Sequence, residues 1–405
     1  MAIKRLAMLV LILIGTAGIG NNIAFAASLC VQPTGAGRCF KSIQSAVDAA
    51  KNGDHIIIRA GKYVEQVIIS GKELSLVGRS GAVIQAPAAM QDIQSPVAGF
   101  EGRPILLVTD ADVTVQNLTI DGANSAEANP FLEGIVFINA GGVIQDNLVK
   151  NIGFGEPRLP LDANGGPIYQ GDGIVVVNFA ATARTITIAE NRVINYNSNG
   201  IIVDSEADLS NPSIANLTAQ VVDNTVIASG PNDVIDQWGI FIGGFGFTDP
   251  QFSITGIVRG NQLRDQNTVA PYPLPGLGMV AFNLYKMEIT DNTVDNINVG
   301  LVANQAVDVQ IGDNQFTGPG ADVTGSTGMI LSGMDSRIVE NRFKKLESGI
   351  LLQIEDPQFG SAFNTSIEGN RFDNVTVDVL TGSGGQALAA ASALPTPTQP
   401  RWRQR

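Results

Sequence analysis

Apolar and polar residues alternate along this chain in short bursts. Gly300-Leu301-Val302-Ala303 is one burst, Val307-Asp308-Val309-Gln310-Ile311 the next, and Gln315-Phe316 a third. Alternation at period two predicts strands, and the Gly, Asn, Asp and Pro between bursts predict turns. Two signals recur with the bursts. Asn followed two residues later by an apolar side chain is found at Asn117, Asn147, Asn191, Asn224, Asn261, Asn292, Asn314, Asn341 and Asn370, with Thr119 the one polar exception. Glycine opening an apolar run is found at Gly134, Gly173, Gly200, Gly239, Gly278, Gly300, Gly328 and Gly349. From Gly134 onward the two signals alternate. Asn-to-Asn spacings run from 22 to 44 residues, too variable for a helical repeat. Three short strands per repeat predict an all-β, single-stranded parallel β-helix of about 9–11 coils, with the surplus length in loops.

That geometry gives both signals a structural meaning. Carboxamides stacked at one bend of every coil donate and accept along the stack. Asn also tolerates the left-handed conformation of a sharp bend. A glycine directly after a turn eases the corner. Near the N-terminus, Ile43, Ala46, Val47 and Ala50 lie at i, i+3, i+4 and i+7, the apolar face of a short helix. Such a helix covers the open end of the coil stack.

The order of segments here is specific. The helix Ile43–Ala50 is followed by Gly53-Asp54, then Ile56-Ile57-Ile58, then Gly61-Lys62-Tyr63-Val64-Glu65. It resembles the opening of the right-handed parallel β-helix, or pectin-lyase-like, superfamily, and in particular of pectin methylesterases and of the periplasmic accessory β-helix proteins of nitrous oxide reductase systems. The resemblance extends over roughly residues 40–380. It implies a right-handed coil with an N-terminal capping helix; spacing alone carries no handedness.

Lys4 and Arg5 precede the apolar run Leu6–Ile14, and Ala24-Phe25-Ala26 is an A-x-A cleavage site, so residues 1–26 read as a signal peptide. The expectation is an exported protein, periplasmic or extracellular, with a β-helix domain over 27–381. The run is too short to span a membrane. Cys30 and Cys39, the only cysteines, are expected to pair in an oxidising compartment. Residues 382–405, rich in Gly, Ser and Ala and then in Pro and Arg, read as a disordered tail. The net charge of −13 becomes −15 when Lys4 and Arg5 are removed. No basic patch suits nucleic acid, and polyanionic glycans meet overall repulsion.

Register then separates the strand faces. Two residues after each glycine, the outward positions are Val136, Val175, Ile202, Phe241, Val280, Val302, Ile330 and Leu351, all apolar. One residue after each ladder Asn, they are Leu148, Arg192, Thr225, Gln262, Thr293, Gln315, Arg342 and Arg371, mostly polar. A bare apolar stripe of that length is unusual. A loop or the tail, a second subunit or partner, or a ligand is expected over it. The loops beside it are long and carry Tyr169, Trp238 and Tyr272, which with Phe241 and Arg158 are the candidate substrate contacts.

The chemistry is less legible. A lyase base is missing, because no Lys or Arg occupies the outward positions of the apolar strands. Asp172-Gly173-Ile174 resembles the strand opening of polygalacturonases, but that family's paired Asp-Asp and its His motif are absent. Asp172, Asp204 and Asp236 are the candidate acids, and register puts Asp204 about 16 Å from Asp172. The esterase motifs Asp-Phe-Ile-Phe-Gly and Gly-Arg-Pro-Trp are also absent. His55 is the only histidine, which excludes a His triad or a multi-His metal site. No cofactor is implied; Asp110-Ala111-Asp112 is a bare calcium possibility. The resemblance implies a polysaccharide-acting or polysaccharide-binding protein using the groove beside the first-strand sheet. Catalysis is left open, with a hydrolase ahead of a lyase or esterase. The alternative is a non-catalytic surface or assembly protein that associates through the apolar sheet face.

Overall fold

The computed structural model describes residues 26–94, 101–153, 171–180, 182–205, 217–230, 237–244, 254–266, 275–320, 324–355 and 364–383. The expected signal peptide, all but its last residue, and nearly all of the tail lie outside these. The strands stack in three parallel sheets. Strands opened by the repeat glycine form the first sheet, from Val67–Ser70 through Leu132–Ile138, Gly171–Asn178, Asn199–Ser205 and Trp238–Gly244 to Arg371–Ser383. The second sheet runs from Ser28–Val31 to Ser366–Glu368. In the third, which follows the ladder Asn, ten successive parallel pairings link eleven strands, from Gly61–Val64 to Arg371–Ser383. The fold is a parallel β-helix, with its coil number at the upper end of the expectation. Ile93–Gln94 pairs antiparallel with the start of Glu101–Thr109.

The interior is one apolar column, and the carboxamide ladder runs through it. Asn224 Nδ2 donates to Asn261 Oδ1 at 3.0 Å and to the Ile188 carbonyl at 2.8 Å. Its Oδ1 accepts from Asn191 N and Asn191 Nδ2, both at 3.0 Å. The same four bonds recur at Asn191, Asn261, Asn292, Asn314 and Asn341. Asn147 and Asn370 end the ladder. Every polar atom of a ladder amide is thereby satisfied, and from Asn147 to Asn341 the positions have almost no solvent contact.

Three expectations need correction. Thr119 pairs with Leu148, so Asn117 lies one residue before the ladder position and Leu118 occupies it. Leu118 N donates to Asn147 Oδ1 at 3.0 Å, and its side chain ends the ladder in an apolar cap. The left-handed conformation belongs to the residue before each ladder Asn: Asp146, Glu190, Asp223, Asp291, Asp313 and Glu340 have φ of 55° to 58°. Nor do the strand glycines turn a corner. A Cβ on Gly200 would overlap Val226 Cγ1 and lie 2.6 Å from the Gly239 carbonyl oxygen of the next coil. Down the stack, each such glycine faces the apolar residue at Asn+2 of its own coil, from Val149 against Gly134 to Phe372 against Gly349. The two sequence signals are thus two halves of one contact. In the last coils the Asn+2 residues are Phe316, Phe343 and Phe372, stacked with centroids 5.3 and 5.2 Å apart.

The N-terminal motif is structural throughout. Helix Ile43–Ala49 buries Ile43, Ala46 and Val47 over the coil end. Glu65 accepts from Ile43 N at 2.8 Å and Gln44 N at 3.0 Å, placing a carboxylate at the helix start. Tyr63 is buried and its hydroxyl donates to the Arg59 carbonyl at 2.9 Å. Asp54 accepts from Lys51 N and Ala27 N, and these two bonds hold its carboxyl below the usual range. Cys30 and Cys39 form the expected disulfide.

Replacing Asn224 by Ala leaves four buried groups short of a partner, so a loss of at least about 3 kcal/mol is expected. Gly200→Ala overpacks the same coil and is expected to cost about 1–3 kcal/mol. Val226→Ala should not rescue it, because the Gly239 carbonyl remains in the way. Denaturant unfolding of the three variants checks this; full rescue would contradict the contact.

Candidate functional site

Function has to lie on outward positions, because the inward ones are committed to the column. The solvated row after the ladder is ordinary surface: Arg192, Gln262, Gln315, Arg342 and Arg371 are exposed. The apolar stripe two residues after each glycine is separate from the interior core and forms two outer clusters joined at Ile202. It is covered within the chain: Val136 and Val302 are fully buried. Phe179 and Ile93 pack on its first half, Trp238 and Phe282 on its second. Among the described residues the stripe from Val136 to Leu351 is therefore largely buried rather than bare. Among the described residues the exposed large apolar side chains are Val64 in the first coil and Val379 and Leu380 in the last strand.

A third outward row lies just before the strand glycines. Pro104 pairs with Glu133 and Glu133 with Asp172. Asn199 follows one coil on, its backbone N at 2.9 Å and its Nδ2 at 2.8 Å from Asp172 Oδ1. Asn199 then pairs with Trp238, and Trp238 with Leu277. Two carboxyl groups, a carboxamide and an indole thus occupy one register position on four successive coils, each step about 4.8 Å.

Their environments differ. Glu133 is 5% exposed, and its Oε2 has no hydrogen-bond partner. Burial, and after it the negative charge of Asp172, raises the Glu133 carboxyl well above the usual range. Asp172 and Asn199 are half-buried. Trp238 is half-buried too, with its indole N–H unbonded and its ring stacked on Phe241 at 5.6 Å. Phe241 tilts against Phe282 at 6.0 Å and serves as the floor under Trp238.

The structure thus brings Asp172 and Trp238 together through Asn199. Asp204 is buried on a different row, paired with Val177 and Gly243, five positions further along the strand than Asn199. Arg158, Tyr169, Asp236 and Tyr272 lie outside the described residues. Among the described residues no cluster of three or more His, Cys, Asp or Glu suits a metal, and the Asp110/Asp112 turn gains no further ligand. Sequence reading missed Glu133 and Asn199. The signal was present: Glu133-Gly134, Asp172-Gly173, Asn199-Gly200 and Trp238-Gly239 are the same dipeptide position in successive repeats.

No protein-family model and no curated protein sequence matches the chain. Solved structures do. The mannuronan C-5 epimerase A-module of Azotobacter vinelandii is 14% identical, with a TM-score of 0.40 over 85% of this chain and 95% of that one. An alginate lyase from a Paenibacillus species is 13% identical, with a TM-score of 0.45 over 84% and 99%. Carrot pectin methylesterase is 14% identical, with a TM-score of 0.39 over 78% and 91%. The β-helix assignment itself rests on the strand pairing.

The raised Glu133 value fixes the sign of a pH effect. The folded value lies above the unfolded one, near 4.3. Its contribution to stability is therefore complete below about pH 4.3 and is lost as pH rises through the folded value. Glu133→Gln removes that loss, so the melting temperature of the variant relative to wild type is expected to rise with pH. Thermal melts from pH 4 to 9 check it; a constant offset would contradict the burial argument.

Proposed function

We propose that this protein binds or hydrolyses polysaccharide in the groove along the first sheet. The row Glu133, Asp172, Asn199, Trp238 carries the reading. An elongated ligand lying across the coils meets a new side chain every about 4.8 Å. Along this row those side chains are two acids, an amide and an indole face, groups that serve glycoside chemistry, hydroxyl recognition and stacking. The disulfide suits export to the periplasm or the medium. Among the described residues no helix is long and apolar enough to cross a membrane.

Affinity electrophoresis and reducing-end release on neutral and acidic polysaccharides test the proposal. Trp238→Ala is expected to weaken binding at least tenfold, about 1.4 kcal/mol. Asp172→Asn is expected to abolish any release of reducing ends. Wild type that binds no glycan, or variants indistinguishable from it, would sink the reading.

A further inference from the structure

We propose that residues 386–394 form a short helix that folds back over the open end of the coil stack and closes it. This closure involves no residue of the acid row and stands apart from any glycan binding there.

The two ends of the stack differ. At the first coil, helix Ile43–Ala49 buries Ile43, Ala46 and Val47 over the column. At the last coil no described element does the same. Strand Arg371–Ser383 pairs with Arg342–Glu355 along one edge, and Ser366–Glu368 with Arg337–Val339. Among the described residues nothing pairs with the other edge of either. The inward residues of this coil are of the kind that preceding coils bury. Phe372 pairs with Phe343, Val375 with Leu346 and Val379 with Ile350. Phe343, Leu346 and Ile350 are fully buried, whereas Phe372 and Val375 are half-buried and Val379 is 39% exposed. On the stripe register Leu351 is buried and Leu380 is 42% exposed. The ladder is cut in the same plane. Asn341 N donates to Asn370 Oδ1 at 2.9 Å, but no described residue takes the N–H of Asn370 in turn. An apolar end with two free strand edges invites a cover.

The chain that follows fits this end. Ser383 closes the last strand, so residue 384 starts on the open coil. Gly384 and Gly385 give a pliable connection. Residues 386–394, Gln-Ala-Leu-Ala-Ala-Ala-Ser-Ala-Leu, hold seven Ala or Leu and no charge. Ala and Leu lead the helix scale and Ala is poor in strands, so the segment favours a helix over another rung of sheet. Pro395 sets its end. Ala387, Leu388, Ala391 and Leu394 then share one apolar face. Nine residues span about 13–14 Å, enough to lie across a coil whose strands run about 17–20 Å. An isolated helix of this length is marginal in water. Helix and docking therefore form together, and the exposed residues of the last coil supply the partner surface.

A second copy of the chain is the rival occupant, and area disfavours it. An end face about 17–20 Å across offers on the order of 300–400 Å², against about 800 Å² per partner in a stable complex. The segment is tethered by two residues and meets the face at an effective concentration in the millimolar range, so the smaller area suffices for it.

Hydrogen exchange of the full chain, read on peptides covering 371–383 and 384–394, together with sedimentation over a wide concentration range, tests the proposal. The amides of 386–394 are expected to exchange at least about tenfold more slowly than in an unstructured chain, and wild type is expected to sediment as a monomer. Leu388→Asp combined with Leu394→Asp should remove that protection and speed exchange in 371–383. Ala391→Pro should do the same by breaking the helix. Val379→Asp, on the end face itself, should release the segment. Val64→Asp, an exposed apolar position in the first coil, should leave it protected. Peptides from 132–205 should keep wild-type exchange in every variant, which separates release of the segment from unfolding. Exchange of 386–394 at the unstructured rate in wild type, or protection unchanged by Val379→Asp, overturns the closure. Protection that survives Ala391→Pro but not the paired Asp substitutions overturns the helix in favour of an extended segment. Protection that appears only as a dimer forms gives the end to a second copy and overturns the proposal.

Discussion

A coil that closes on itself must bury a bend at every turn, and the bend brings polar backbone into an apolar column. The carboxamide ladder resolves that conflict. Each Asn takes a carbonyl and a backbone N–H that the bend leaves without strand partners, then spends its remaining donor and acceptor on the Asn above and below. The solution works only if every coil repeats it at the same height. That requirement fixes the register of all three sheets. It also explains why the strand glycine and the apolar Asn+2 residue travel together: the side chain at Asn+2 fills the space that glycine leaves empty, and the next coil's carbonyl closes it.

This constraint decides what was legible in the sequence. Interior positions allow few residue types, so Asn147 to Asn370 and their partner glycines stood out despite repeat lengths that differ twofold. The disulfide and the N-terminal helix were legible for a similar reason, each having one physical use. Asn117 was misread by one residue because the left-handed bend before the ladder also suits Asn. Its polar Asn+2 residue, Thr119, was the trace of the slip. Leu118 was invisible as a ladder position because its backbone N–H does the bonding while its side chain merely fills space.

The site was less legible, since outward positions answer to no common rule. Asp172 and Trp238 attracted notice singly, one as a strand-opening acid and one as a scarce aromatic. Only pairing showed them to be two coils apart on one row with Asn199 between. Glu133 gave no signal of its own, as a Glu before a Gly is common on surfaces. Its burial comes with packing against Gly102 of the preceding coil, which no local pattern encodes.

The acid row beside the apolar stripe links the scaffold to the chemistry. Parallel stacking places like residues about 4.8 Å apart, so a pair of acids on one row repels unless one gives up its charge. In open solvent that repulsion is screened and both remain ionised. Where one of the pair is buried it is screened less, and Glu133 is the buried member, with one oxygen lacking a hydrogen-bond partner. Next to the stripe, the burial of Glu133 and the half-exposure of Asp172 make the two carboxyl groups of one row unequal. A β-helix with a solvated first sheet could carry the same Glu and Asp at the same register and would have two equivalent surface acids.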